Sequence, residues 1–347
     1  MRVRHVESMN TLDKHPSTHS YDVIGDVHGN ADKLEDLLQS LGYISTPQPT
    51  HPRGQPVWSH PNCTAIFVGD LIDRGPAQIR TVDIARAMVD AGAARMVLGN
   101  HEFNAIAWAT ADPDVPGEHL RRRTGSEGRK NREQHERFLA EVGEDSELHH
   151  ELITWFQSLP LWLQLDGGLR VVHACWDEDA MDVVGPMLDA DGALTHDLIV
   201  AGSRRGSPEY DALETILKGP EIALPETHWY LDKDGHLRCN ARFRWWDPDV
   251  STLRNAAEMP PDAVGRDGLG LTTLPSTPLE PGLARPYTGT VPVVFGHYWR
   301  TENSVICSPA AACVDFSAGK GGPLVAYRWD GGLLRRDRLS PYTRVQP

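Results

Sequence analysis

Three times in its first hundred residues the chain writes a short apolar run that stops at glycine, follows it with a polar side chain, and then enters a helical pattern. Residues 21–24 lead into Gly25-Asp26-Val27-His28-Gly29, residues 65–68 into Gly69-Asp70-Leu71-Ile72-Asp73-Arg74-Gly75, and residues 95–98 into Gly99-Asn100-His101-Glu102. After the first turn Leu34, Leu37, Leu38 and Leu41 recur at helical spacing, and Gly42 marks the stop. After the second, Ile79, Val82, Ile84, Ala85, Met88 and Val89 predict a helix over 77–91. Strands that alternate with helices build an α/β sheet, and such sheets hold ligands in the crevice beyond the strands' carboxyl ends. A carboxylate at that edge costs free energy unless something pairs with it.

The remaining pattern extends this order. Residues 45–62 are Pro-rich and read as a loop, helices are expected over 132–142 and 147–158, and the second half reads as strand-rich. Its expected strands are 161–165, 169–173, 236–246, 291–296, 304–307, 312–316 and 323–329. Residues 1–20 read as a loose polar leader in which His5, His15 and His19 are solvated. Residues 21–347 read as one domain interrupted near 112–137 and 251–290. Arg121-Arg122-Arg123 is expected to be a solvated face. No apolar run approaches the roughly 20 residues that span a bilayer. A formal charge of −14 argues against general nucleic-acid or anionic-membrane binding. It leaves phosphate substrates open, because bound cations reverse the local sign. Five cysteines with no C-x-x-C pair argue against a disulfide framework and for a cytoplasmic setting.

Two later strands also end on a polar residue, Val171-Val172-His173 and Val293-Val294-Phe295-Gly296-His297. Taken alone, Gly-Asp after a strand is a turn or helix cap, and a single histidine is a satisfied buried ring. Together the five ends fit one chemistry. Carboxylate and amide oxygens with imidazoles suit Mn²⁺, Fe or Zn²⁺, whose charge compensates the acidic crevice and a phosphate bound in it.

The blocks GDVHG, GDLIDRG and GNHE, followed by His173 and the GHY at 296–298, resemble the PPP-type, calcineurin-like metallophosphatases. That family includes Ser/Thr protein phosphatases and bacterial symmetrical diadenosine-tetraphosphate hydrolases. The resemblance is dense over residues 21–103 and sparser to 330. It implies a four-layer α/β/β/α sandwich of two mixed sheets carrying two divalent metal ions, with Mn²⁺ the expected pair. It implies Asp26, His28 and Asp70 on one ion, and Asp70, Asn100, His173 and His297 on the other. It also implies His101 as general acid, oriented by Asp73, and Arg74 as a phosphate clamp. The nucleophile it implies is a metal-bridging hydroxide that attacks phosphorus in line. A planar guanidinium suits two phosphoryl oxygens, and a His–Asp pair suits proton donation near neutral pH.

The departures narrow the substrate. Diadenosine-tetraphosphate hydrolases usually lack the aspartate matching Asp73, so GDLIDRG leans toward phosphomonoesters. Family members often read His-Gly-Gly where this chain has His173-Ala174-Cys175-Trp176, and Tyr298-Trp299 follows His297. Trp176 and Trp299 are placed either to pack or to stack on a base. Arg242 and Arg244 alternate with aromatics on a strand as a possible second clamp, against the alternative of a solvated strand face. Asp315 is a candidate partner of a ligating histidine, and Lys320 a candidate substrate contact in a glycine-rich turn. The resulting expectation is a dinuclear phosphohydrolase acting on the phosphomonoester of a small molecule, nucleotide or phosphoprotein. A symmetrical dinucleoside-polyphosphate hydrolase is the alternative. A silent binding module is disfavoured because the ligands, His101 and Arg74 are all present; the basic stretch 121–132 keeps an RNA end in view.

Overall fold

The computed structural model of the chain describes residues 19–48, 52–231, 235–260, 263–280, 282, 285–300 and 305–341. Ten strands form its two principal sheets: β1 (Ser20–Ile24), β2 (Cys63–Phe67), β3 (Ala94–Met96), β4 (Trp162–Leu165), β5 (Leu169–Val172), β6 (Val293–Phe295), β7 (Ile306–Ser308), β8 (Ala311–Cys313), β9 (Val325–Trp329) and β10 (Leu339–Pro341). One sheet has the order β10-β9-β1-β2-β3 and the other β7-β8-β6-β5-β4. In the first, β1, β2 and β3 are parallel, and β9 and β10 join through antiparallel pairings. In the second, β8, β6 and β5 are parallel, with β7 and β4 antiparallel at the edges.

The strands read as nearly continuous apolar runs because both faces of each sheet are covered. Side chains still alternate. Val23, Ile66, Val68, Val171, Val294, Ala312 and Val325 belong to one buried cluster between the sheets. Their neighbours Ile24, Phe67, Val172, Phe295, Cys313 and Ala326 belong to the other, shared with the helices. The arrangement is the expected four-layer α/β/β/α sandwich, with helices outside two mixed sheets.

The helices are α1 (Ala31–Ser40), α2 (Gln78–Asp90), α3 (Asn100–Ala109), α4 (Gly125–Val142), α5 (Glu147–Gln157), α6 (Glu178–Val184), α7 (His196–Ala201) and α8 (Pro208–Lys218). Helix α1 ends as read, with Gly42 at φ +93°. Helix α2 lacks a capping side chain of its own; Glu141 on α4 accepts the Gln78 and Ile79 N–H groups at 2.6 and 3.0 Å instead. Helix α4 starts seven residues before the expected 132, so the polar interruption at 112–137 is half helix. Helices α6 to α8 occupy a region where the strand-rich reading had no element. Their caps are nonetheless written in the sequence: Asp177, Thr195 and Ser207 each accept an N–H of the first turn, and Pro208 stands at the first helical position.

The Pro-rich loop contains a short hairpin, Ile44–Thr46 with Val57–Ser59. The expected strand 236–246 is two pieces, Leu237–Arg238 and Asn240–Phe243. The segment 251–290 is mostly irregular, with one helical turn at Leu253–Ala256. His5 and His15, residues 49–51 of the Pro-rich stretch, residue 304 and parts of 251–290 lie outside the described residues. His19 is exposed and hydrogen-bonded to Thr64 Oγ1 at 2.7 Å. All five cysteines are free thiols. No helix among the described residues is long and apolar enough to cross a membrane.

One charge pair lies inside the first sheet. Asp22 on β1 is fully buried and opposite Arg328 on β9, whose guanidinium makes two hydrogen bonds to it at 2.7 Å. Removing one partner of such a pair strands the other. Arg328→Ala, which leaves the fully buried Asp22 carboxylate without its partner, is expected to lower the unfolding free energy by about 3 kcal/mol, read as a lower urea midpoint at unchanged slope.

Candidate active site

The parallel strands of both sheets end at one place. The residues following β1, β2 and β3 supply Asp26, Asp70 and Asn100; those following β5, β6 and β8 supply His173, His297 and Asp315. Direct contacts join the two halves. His173 Nδ1 donates to the Val68 carbonyl at 2.7 Å, and the His297 N–H meets the Asp26 carboxylate at 3.2 and 3.3 Å. Glycines permit the approach. A Cβ on Gly296 would lie 2.2 Å from Asp26 Oδ1, and one on Gly69, at φ +99°, would lie 2.5 Å from the Gly99 Cα. The turns are also strained: His28, Asp70, Asp73, Arg74 and His297 all have φ between +49° and +68°. Conformations that L side chains rarely adopt persist only where surroundings over-determine them.

Ligand-capable atoms of His28, Asp70 and His101 lie within 4.8 Å of one another, and so do those of Asp70, His173 and His297. Asp70 belongs to both groups. Asp26 lies outside them, beside the His297 backbone. Asn100 joins the second through Oδ1, 3.0 Å from His173 Nε2.

The donor chemistry fits cations. His28 Nδ1 faces the Ile72 carbonyl at 2.8 Å and His173 Nδ1 the Val68 carbonyl at 2.7 Å. A carbonyl only accepts, so each Nδ1 carries the proton and each Nε2 presents a lone pair. Burial keeps these rings neutral, with His28 lowered to about 3 and His173 and His297 also lowered. His173 Nε2 and Asn100 Oδ1 are then two acceptors side by side, 3.5 Å from Asp70 Oδ1 in the case of His173. His297 Nε2 is buried with no hydrogen-bond partner among the described residues. Burial, together with Asp315 and Asp70, pushes the Asp26 carboxyl well above its ordinary range. Acceptors converging on crowded carboxylates are a set that takes divalent metal.

Behind the donors stands a relay. Asp73 Oδ2 meets His101 Nδ1 at 2.5 Å, and Asp73 Oδ1 meets His135 Nδ1 at 2.8 Å. Burial disfavours the Asp73 charge, but His135 and His101 outweigh it and hold the carboxyl low. Burial likewise opposes charge on His101, and Asp70 and Asp73 overcome it, raising the imidazole. His135 was not singled out from sequence; it lies on α4, 62 residues from Asp73, and no local pattern marks it. No sequence pattern assigns a role to Glu102. Its buried carboxylate accepts the N–H groups of Asp70 and Leu71 at 2.8 Å and of Gly99 at 3.1 Å, tying two of the three turns together.

The other named residues are distributed around this core. Arg74 is exposed, with its Cδ against Gly319, whose other neighbour is His28. Arg242 donates to the His297 carbonyl at 3.0 Å and lies over the Tyr298 ring. Arg244 is bound to Glu258 at 2.5 Å. Lys320 is exposed, in the turn that carries Gly319. The Asp315 carboxylate caps its own turn by accepting the Ser317 N–H at 2.7 Å. Trp176 is buried under Arg170, whereas Trp299 is 47% exposed. The run Arg121-Arg122-Arg123 is not one solvated face. Arg123 binds Asp145 and covers Trp108, Arg122 is exposed, and Arg121 is partly buried against Asn104.

Donor atoms able to hold divalent metal gather at the mouth of two facing sheets, with the His101–Asp73 pair beside them. The chain belongs to the calcineurin-like phosphoesterase family, whose model matches residues 20–221. It is 31% identical over 307 residues to the symmetrical bis(5'-nucleosyl)-tetraphosphatase of a Janthinobacterium species, covering 87% of this chain and 90% of that protein. It is 30% identical over 159 residues to the asymmetrical bis(5'-nucleosyl)-tetraphosphatase PrpE of Bacillus subtilis, covering 45% of this chain and 57% of that one. With the symmetrical enzyme of Aromatoleum aromaticum the match covers 42% of the relative, so the chain spans about half the length of these last two. A Saccharomyces cerevisiae protein serine/threonine phosphatase aligns over 96% of this chain and 82% of its own, with TM-score 0.46 and 14% identity.

Glu102 tests the turn geometry. Glu102→Gln keeps the shape but turns an amide NH₂ toward backbone donors, and disruption of such supporting contacts costs about 10- to 100-fold in metal affinity. That loss is expected in a Mn²⁺ titration, with the circular-dichroism spectrum unchanged.

Proposed function

We propose that the chain hydrolyses phosphomonoesters, with Asp26, His28 and Asp70 holding one divalent ion, Asp70, Asn100, His173 and His297 a second, and His101 protonating the leaving group. When bound, the ions supply positive charge for the phosphoryl oxygens and lower the pKa of the attacking water. Mn²⁺ suits the mixed oxygen and imidazole set, as do Fe and Zn²⁺. Arg74, exposed at the rim, and Arg242, which braces the His297 backbone, orient the phosphoryl group. Water adds to phosphorus, the bond to the leaving oxygen breaks, and that oxygen takes the proton from His101 Nε2. Asp73 keeps the opposite ring nitrogen engaged and His101 charged.

The observation that carries this reading is the His101–Asp73 contact, itself braced by His135. An alcohol leaving from a monoester needs a proton far more than a phosphate leaving from an anhydride. The second reading is hydrolysis of a dinucleoside tetraphosphate, favoured by the relative that matches 87% of the chain. Free thiols throughout support a cytoplasmic site of action.

With Mn²⁺ present, Asp70→Asn is expected to abolish turnover, because Asp70 serves both donor groups; wild-type rates at full metal loading would refute the assignment. His101→Asn is expected to slow alkyl phosphates by about 10²- to 10⁴-fold and p-nitrophenyl phosphate much less. Equal losses across leaving groups would remove His101 as the acid. A product-resolved assay of p-nitrophenyl phosphate, a phosphopeptide and diadenosine tetraphosphate separates the two substrate readings.

A further inference from the structure

Beside the site lies an open cleft of about 370 Å³ between α3, the start of α4, the turn after α7, and α8. Five basic side chains line it, Arg121, Arg122, Arg204, Arg205 and Lys218, against three carboxylates, Asp112, Glu127 and Glu214. In a chain of net charge −14 this basic excess is local and calls for a cause.

The carboxylates are unequally spent. Asp112 holds Arg204 at 2.6 and 2.9 Å, and Glu214 holds Lys218 one turn along α8. Glu127 reaches Arg205 only at 3.5 Å, and Arg205 is 80% exposed. Arg121 differs from both. Its guanidinium donates to two neutral amides, Asn104 Oδ1 at 2.5 Å and Gln134 Oε1 at 2.8 Å. Its Nε is buried without a hydrogen-bond partner among the described residues. A guanidinium positioned by amides, with no carboxylate in contact, keeps its full charge for a ligand.

The cleft opens on the side of the acid. Asn104 follows His101 by three residues on α3, so both project from one helix face. Arg121 therefore sits about one helical turn beyond the leaving-group proton donor, and the Asp73 charge reaches it. At the other end, Lys218 is near enough to bias His297 electrostatically.

We propose that this cleft is a subsite for a second phosphoryl group, so that the substrate carries one on the leaving-group side besides the one that is cleaved. This rests on the phosphohydrolase reading above and names its substrate class. The second group is either the far phosphate of a nucleoside bisphosphate ester or the remaining chain of a dinucleoside polyphosphate, and both offer the same oxygens to Arg121.

The test compares kcat/KM for p-nitrophenyl phosphate, adenosine 3′,5′-bisphosphate and diadenosine tetraphosphate, with Mn²⁺, in the wild type, Arg121→Gln and Arg205→Gln. Arg205 is exposed, so its variant reports even where Arg121→Gln fails to fold. In the variants, the ratio of a multiply phosphorylated substrate to p-nitrophenyl phosphate is expected to fall by about tenfold, the worth of one charge-assisted hydrogen bond, chiefly through KM. The arm that falls distinguishes bisphosphate from polyphosphate. Turnover of p-nitrophenyl phosphate with the ratio unchanged in both variants overturns the subsite alone. No turnover of any of the three by the metal-loaded wild type overturns the phosphohydrolase reading and the subsite with it.

Discussion

Carboxylates crowded into the seam where two sheets meet are what the rest of this structure is arranged around. Asp26, Asp70 and Asp315 follow the ends of three parallel strands, all buried, and burial together with their mutual repulsion pushes the Asp26 carboxyl upward. A fold gains nothing in stability from such a cluster. Its surroundings suit positive charge: neutral imidazoles with lone pairs turned inward, an amide oxygen among them, and backbone carbonyls fixing the tautomers.

Holding that cluster in place takes constraint from several directions. Five residues of the site keep backbone angles that side chains avoid, and each such residue costs on the order of 1–3 kcal/mol. Glu102 clamps the second and third turns with three N–H bonds, and Gln78 accepts the Asp73 N–H at 2.6 Å while donating to the Gly75 carbonyl. Gln78 opens α2, and the N–H groups of that first turn are capped from α4 by Glu141, two turns after His135. Helix α4 therefore supports the DRG turn twice, once through the backbone of α2 and once through the Asp73 carboxylate.

Much of this was legible in the sequence because the donors follow strands that advertise themselves. The βα units at 20–109 and the single histidines at 173 and 297 follow from apolar runs ending in Gly-Asp, Gly-Asn or His, whereas the mixed-sheet sandwich comes from the family resemblance those blocks carry. The illegible parts have a common cause, which is contact across long separations. His135 reaches Asp73 from a polar helix whose pattern offers no reason to prefer it. Arg121 looks like its two neighbours in sequence, and only packing separates it from Arg123, which turns to Trp108 and Asp145. Helices α6 and α7 span seven and six residues, too few for periodicity to show, so their caps were the clearest signal there.

The site also straddles a boundary. Asp26, Asp70 and Asn100 ride on one sheet, His173 and His297 on the other, and between them lies the apolar layer built from Val23, Ile66, Val171, Val294 and their neighbours. That layer acts as a spacer as well as a core. Facing sheets pack about 10 Å apart, a spacing that depends on the side chains interleaved between them. A methyl group added or lost in this layer would shift one set of donors against the other. Residues far from the cleft thus set the spacing of the donor atoms, and the volume of a buried valine becomes a parameter of the site.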